Sequence, residues 1–235
     1  MSRSSFYIAT IVTVTAFSAG NIFAGNVTGK INFKGAKPAP VKIMMSADPK
    51  CVKMHAGKDV MSEQVELNAD GTMRDVFIYV KKGLEGKKFP TPTTKATINQ
   101  QGCMYIPHVL GVMTNQSIEI TNSDATLHNI HALPKNSKQF NIAQPKKGMK
   151  MTQKFDKSEV MVKIKCEVHS WMASYVGVLD HPFFAVSDAK GAFTLKNLPA
   201  GTYEIEAWHE KFGTKTMSVT VGASDTKTTD FTFGG

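Results

Sequence analysis

Alternation of apolar and polar side chains runs through nearly every patterned segment of this chain. In NVTGKINFKG, Val27, Ile31 and Phe33 share one side, while Lys30 and Lys34 take the other. The same period of two recurs in DVFIYV (75–80), QSIEITN (116–122) and VMVKIKC (160–166). A period of two is typical of strands that bury one face, and no segment has the spacing of a long amphipathic helix. The sequence therefore predicts an all-β fold built from β-sandwiches.

The first 24 residues have the pattern of a secretory signal peptide. Arg3 supplies a short basic start, FYIATIVTVTAF forms an apolar run, and Ala24 ends a small-residue cleavage site. No later stretch is long enough to cross a bilayer, which takes about 20 apolar residues. We therefore expect an exported protein, periplasmic or otherwise extracytoplasmic, with no transmembrane anchor.

The chain is basic, with 28 Lys and Arg against 19 Asp and Glu. The excess is spread over strands and loops, so a solvated basic face is favoured over a nucleic-acid surface. Export argues further against nucleic acid. A basic surface would suit redox protein partners that are acidic, because opposite charge steers association.

Three cysteines make an odd count for an exported protein. An oxidising compartment pairs free thiols, so one cysteine must be occupied otherwise or left reactive. If Cys166 binds a metal ion, Cys51 and Cys103 are left to form a disulfide.

A thiol, an imidazole and a thioether stand at even steps of three in KIKCEVHSWMASY (163–175), as Cys166, His169 and Met172. A type 1 copper site needs two imidazoles and a thiolate in a plane, with a weak axial thioether. The alternation points Cys166 into the core at the end of its strand, and the next loop would return the other two to the same point. The opposing interpretation makes Cys166 a small buried hydrophobe, Met172 core filler and His169 a surface residue.

The fourth ligand would come from a partner strand. SIEITNSDATLHNIHAL (117–133) places His128 just after a short polar turn. The backbone N–H of Asn129 would hydrogen-bond the Cys166 sulfur, a contact that tunes metal sites. Trp171 would pack over the site and form an apolar rim around an exposed edge of His169, through which electrons could pass.

ITNSDATLHNIHAL and CEVHSWM together resemble the cupredoxin family, of the plastocyanin/amicyanin type. The resemblance covers about residues 96–180 and implies a Greek-key β-sandwich. It also implies copper held by His128, Cys166, His169 and Met172, with electron transfer as the function. Zinc fits this set less well, because a thioether is a poor zinc ligand.

SDAKGAFTLKNLPAGTYEIEAW (187–208) resembles the carboxypeptidase regulatory-like domain, a smaller Ig/transthyretin-like β-sandwich, and GNVTGKINFKGAKPAP (25–40) resembles its first strand. The expected organisation is a signal peptide at 1–24, N-terminal strands at 25–95 that pack with one or both sandwiches, the copper domain at 96–180 and the regulatory-like sandwich at 181–235. Insertion of the cupredoxin into the other sandwich remains one of the possible arrangements.

We expect an exported copper electron carrier rather than an enzyme. The alternatives are a copper storage or delivery module, which would need open or Met-rich coordination, and a copper enzyme that reacts with a small molecule. No role is assigned from the sequence to four other histidines, His108, His131, His181 and His209.

Overall fold

The computed structural model describes residues 24–234, which contain seventeen β-strands and one helix of six residues. The predicted all-β class is therefore confirmed. The helix is α1 (Pro49–Met54), and the strands are β1 (Ala24–Lys34), β2 (Phe77–Lys82), β3 (Ala96–Gln101), β4 (Met104–Ile106), β5 (Val109–Met113), β6 (Ile118–Asn122), β7 (His128–Leu133), β8 (Phe140–Gln144), β9 (Lys150–Gln153), β10 (Glu159–Lys165), β11 (Ala173–Leu179), β12 (Phe184–Val186), β13 (Ala192–Pro199), β14 (Gly201–His209), β15 (Gly213–Val221), β16 (Thr226–Thr228) and β17 (Phe231–Gly234).

Two four-stranded sheets, drawn from both ends of the chain, make the first sandwich. One sheet has β1 at its centre, paired antiparallel with β13 and parallel with β16 and β17. The other has the order β12-β2-β14-β15. The buried apolar side chains that these sheets share include Val27, Ile31, Ile78, Leu195, Ile205 and Phe233. The first strand is thus held by strands about 200 residues later in the sequence.

The second sandwich consists of residues 96–179. Its sheets have the orders β5-β11-β10-β7-β8 and β4-β3-β6-β9. Burial follows the predicted alternation along β10, where Val162 and Ile164 are buried and Lys163 is exposed. The chain enters this sandwich after β2 and leaves it before β12, and β2 and β12 pair with each other. The second sandwich is therefore inserted between two paired strands of the first.

The two sandwiches meet on the second face of β2. Phe77 and Tyr79 lie in a small apolar cluster with Val109 and Leu179 of the second sandwich. Gly111 leaves room for the Phe77 ring, since a Cβ there would lie 2.8 Å from a ring carbon. Both faces of β2 are therefore covered, which explains why its run of four buried residues departs from simple alternation.

The segment between β1 and β2 contains α1 and packs against both cores. Met45 and Cys51 belong to the core of the second sandwich, whereas Met73 belongs to that of the first. Asp48 is the N-cap of this helix, and its side chain accepts a hydrogen bond from the Lys50 backbone N–H at 2.8 Å. An Asp cap followed by Pro is a standard helix start.

The predicted signal peptide lies outside the described residues, except for Ala24, which opens β1. Between residues 24 and 234, no helix is long and apolar enough to cross a membrane. The predicted disulfide is present, joining Cys51 of α1 to Cys103 with their Cα atoms 5.7 Å apart. Cys166 is free and buried.

Candidate metal centre

The strands of the second sandwich bring the predicted ligands to one end of it. His128 is the first residue of β7, and Cys166 directly follows β10, which pairs antiparallel with β7. The connection from β10 to β11 is a short loop, residues 166–172, that closes in a turn. In this turn the Met172 backbone N–H donates to the His169 carbonyl at 3.0 Å, and the Cys166 N–H donates to the Met172 carbonyl at 3.3 Å. These two bonds fold the loop back onto the strand ends.

Three of the four predicted ligands converge. The Nδ1 atoms of His128 and His169 are 3.0 Å apart, and the Cys166 Sγ lies 3.8 Å from the His169 Nδ1. One donor atom from each of the three residues lies within 4.8 Å of the others. All three side chains are buried, with exposed fractions of 3% or less. The arrangement is a water-shielded space faced by two imidazole nitrogens and one sulfur.

Met172 is fully buried in the same core cluster as Cys166. Its position is fixed by the two backbone hydrogen bonds of the turn. Its role as the axial thioether stays a prediction.

Two carboxylates, which the sequence analysis did not identify, hold the outer nitrogens of the imidazoles. The Nε2 of His128 lies 2.9 Å from Asp124 Oδ2, and the Nε2 of His169 lies 3.0 Å from Asp48 Oδ2. A carboxylate on the outer nitrogen fixes the tautomer with its proton outward, so that the Nδ1 lone pair faces the centre.

Each carboxylate is itself anchored. Asp124 accepts from the backbone N–H groups of Gly102 and Cys103 at 2.9 and 2.8 Å. Asp48 is the α1 cap and also accepts from the Thr126 hydroxyl at 3.0 Å. The Asp-Pro pair before α1 is a helix-start signal that was readable in the sequence, but nothing local placed that start beside His169.

The charges favour a thiolate at the centre. Burial by itself raises the pKa of Cys166, but hydrogen bonds from His128 and from backbone N–H groups outweigh it and lower the pKa to about 6. Burial lowers the pKa of His128, whereas Asp124 and Cys166 raise it, with a net upward shift. Burial likewise raises the pKa of Asp48, but His169 and the Lys50 N–H bring it down to about 2. A deprotonated sulfur is the form that binds metal.

Asn129, predicted to contact the Cys166 sulfur, and Trp171, predicted to pack over the site, both lie beside the centre. Asn129 Oδ1 lies 3.2 Å from the Cys166 Sγ and accepts from the Glu167 N–H at 2.6 Å. The Asn129 backbone N–H contributes to the lowered pKa of the Cys166 thiol. The Trp171 ring packs 5.0 Å from the His169 ring, centroid to centroid, and its Nε1 donates to the Cys103 carbonyl at 3.0 Å.

The expectation of an exposed His169 edge is wrong. Only 1% of this residue is exposed. The Nε2 of His169 contacts the Asp48 carboxylate, and the Cys51 sulfur lies 3.5 Å from the same nitrogen. Trp171 covers the ring. The segment before the second sandwich therefore closes the side of the centre that the loop alone would leave open.

The other histidines have separate surroundings. His131 Nδ1 lies 2.5 Å from Glu167 Oε1, and His181 Nδ1 accepts from the Phe183 N–H at 3.3 Å. His209 Nδ1 accepts from the Lys211 N–H at 3.1 Å. His108 is paired with a glutamate and is considered below.

One family model matches part of this chain, and several solved structures resemble part of it. Residues 178–234 match the carboxypeptidase regulatory-like domain. No match was found among curated proteins. Among solved structures, a purple cupredoxin from Nitrosopumilus maritimus is 24% identical, with 35% of this chain and 98% of that chain covered and a TM-score of 0.31. An amicyanin variant in its Cu(I) form is 16% identical, with 43% and 97% covered and a TM-score of 0.32.

A copper-containing nitrite reductase from Thermus scotoductus SA-01 is 19% identical, with 41% of this chain covered and a TM-score of 0.35. The match spans only a quarter of the length of that reductase. The regulatory-like domain that the sequence resembles is thus matched by a family model, whereas the likeness to these solved structures is partial. With likeness this partial, the metal centre must be argued from this chain's own side chains.

Proposed function

We propose that this chain is a copper-binding electron-transfer protein with a mononuclear type 1 centre. The Nδ1 atoms of His128 and His169 and the Cys166 thiolate would be the strong ligands, and Met172 the weak axial one. The observation that carries the proposal is the convergence of two imidazole nitrogens and one sulfur in a buried space.

The donor set fits copper. Imidazole serves both Cu(I) and Cu(II), and a thiolate with a thioether selects copper over harder ions. The disulfide occupies Cys51 and Cys103, so Cys166 is left as the free thiol beside the imidazoles. The carboxylates of Asp48 and Asp124 contact the outer nitrogens, which leaves the inner face to nitrogen and sulfur.

The protein would hold the ligands rigidly and exclude water from the metal centre. Bound copper would supply a one-electron couple. The two aspartates hold the imidazole planes, the backbone bonds of the loop hold Cys166 and Met172, and the cover over His169 excludes water. Ligands that are fixed before and after electron transfer keep the reorganisation small, which suits a carrier.

Burial of the ligands also favours a carrier over the other candidates. A delivery module must release its ion, whereas these three donors are at most 3% exposed. An enzyme needs an open coordination position for its substrate, and in the proposed ligand set Met172 would take that position. We therefore propose that the chain is not an enzyme.

Partners and location belong to the same proposal. The disulfide fits an oxidising, extracytoplasmic compartment such as the periplasm. Leu127 and Val168 each adjoin a proposed ligand in sequence and are 39% and 48% exposed. An apolar spot beside the centre on a chain of net charge +9 would suit an acidic redox protein.

The test is the visible and paramagnetic-resonance spectrum of the copper-loaded chain. We expect an intense thiolate-to-copper absorption that Cys166→Ser abolishes and His128→Gln abolishes or displaces. His131→Gln, three residues along the same strand, is the matched control and should leave the band unchanged. Stoichiometric copper binding without this band would refute the electron-transfer function and favour storage or delivery.

A further inference from the structure

A second cluster of ionisable side chains surrounds a cavity where the two sandwiches meet the segment before β2. The cavity has a volume of about 190 Å³, and its lining includes Glu63, His108, Trp171, Tyr175 and Glu210. Trp171 contacts His169 as well, so the cavity is a near neighbour of the first centre but shares none of its proposed ligands.

Two buried polar atoms at this cavity have no partner. His108 is 8% exposed, and its Nδ1 lies 3.6 Å from Glu63 Oε2. Neither atom makes a hydrogen bond, since 3.6 Å is too long for one. Buried polar atoms are nearly always paired, so such a pair needs an explanation.

The opposite side of His108 is firmly held. Its Nε2 lies 2.5 Å from Glu210 Oε1, and the other Glu210 oxygen accepts from the Tyr175 hydroxyl at 2.9 Å. A histidine whose outer nitrogen donates to an anchored carboxylate has the orientation typical of metal-binding histidines. With the proton on Nε2, the Nδ1 lone pair points towards Glu63, and two electron-pair donors face each other.

We propose that Glu63 Oε2 and His108 Nδ1 bind a divalent transition-metal ion of the zinc type, with water in the cavity as the remaining ligands. Zinc–nitrogen and zinc–oxygen bonds are about 2.1 Å long. Two such bonds to atoms 3.6 Å apart meet at about 120°, close to the angle of a tetrahedral site. Small shifts would therefore suffice to admit the ion.

The charged side chains around this cavity favour a bound cation. Two carboxylates, Glu63 and Glu210, flank one imidazole, while Lys163 lines the cavity but is solvent-exposed. The competing occupant is a proton, which would make His108 an imidazolium between the two glutamates. Because the donors are nitrogen and oxygen without sulfur, the site would differ spectroscopically from the first centre, and it does not depend on the proposed copper function.

The experiment uses the full exported chain, first loaded with copper and then titrated with Co²⁺. We expect one further equivalent of Co²⁺, with tetrahedral d–d bands and no thiolate-to-cobalt absorption. Glu63→Gln and His108→Gln should each weaken the binding of this Co²⁺ equivalent at least tenfold. Glu210→Gln should weaken it about tenfold to a hundredfold, because Glu210 only positions His108. Glu66→Gln, three residues from Glu63, is the matched control and should bind as the parent chain does.

The Cys166→Ser chain should still bind this equivalent of Co²⁺, so that failure of the copper centre does not obscure the result. The far-UV circular dichroism of each variant verifies folding, and Glu63→Gln decides the matter if His108→Gln does not fold. The proposal is overturned if the parent chain takes up no second equivalent, or if Glu63→Gln and Glu66→Gln bind alike. If no second equivalent binds, a proton between His108 and the glutamates is the remaining occupant; equal binding by the two variants would place the bound cobalt outside this cavity.

Discussion

The disulfide is expected to be a main source of stability for the second sandwich. Cys51 lies on α1, outside the strands of that sandwich, and Cys103 lies between β3 and β4. The bond thus ties the segment that carries Asp48 to the sandwich that carries the proposed ligands. Reduction should destabilise the protein and loosen the cover over His169.

The loop that the disulfide closes sets the magnitude. The two cysteines are 52 residues apart. In the chain-entropy treatment, cross-linking a loop of that size removes about 14 cal/mol/K from the unfolded chain, or about 4 kcal/mol at 25 °C. With a urea dependence of about 2 kcal/mol per M, the unfolding midpoint should fall by about 2 M.

Urea unfolding of the metal-free chain tests this value. Of the two tryptophans in the chain, Trp171 belongs to the second sandwich and Trp208 to the first, so Trp208→Phe makes the fluorescence report on the second sandwich alone. Oxidised and reduced chains should differ by about 4 kcal/mol, because reduction keeps both sulfurs and their packing. The double variant Cys51→Ala with Cys103→Ala should lose at least as much. A difference below about 1 kcal/mol would refute the loop-entropy reasoning.

Two further predictions concern single side chains. Asp124→Asn should weaken copper binding by about tenfold to a hundredfold, as measured by competition with a chelator, because it removes the carboxylate that orients His128; the exposed Asp156→Asn should not. Burial lowers the pKa of His209 from 6.5 to about 4, so this side chain is protonated at a lower pH in the folded protein than in the unfolded chain. Stability from this group is therefore complete above about pH 6.5 and is lost as the pH falls towards 4, by about 2–3 kcal/mol between pH 7.5 and 4.5. His209→Gln should flatten that part of the profile of unfolding free energy against pH, and an unchanged slope would contradict the assignment.

The local pattern of the sequence determined the class of fold and the core of the candidate site. Alternation identified β10 and pointed Cys166 inward, and the spacing from Cys166 to Met172 indicated a ligand loop. The odd cysteine count matched a free thiol beside one disulfide. The strand and the inward direction of Cys166 were predictable because side-chain direction in a strand depends on neighbouring residues alone, whereas the role of Met172 as a ligand stays a prediction.

Tertiary structure decided everything that joins distant parts of the chain. Asp48 is 121 residues from His169, and His108 is 102 residues from Glu210. Likewise β1 lies beside β16 and β17, and the second sandwich interrupts the first. No residue pattern encodes such partners, because they depend on the path of the whole chain and on which buried groups need a counterpart. For this reason the sequence indicated the inner ligands of the centre, whereas the carboxylates and the cover around them became visible only in the folded protein.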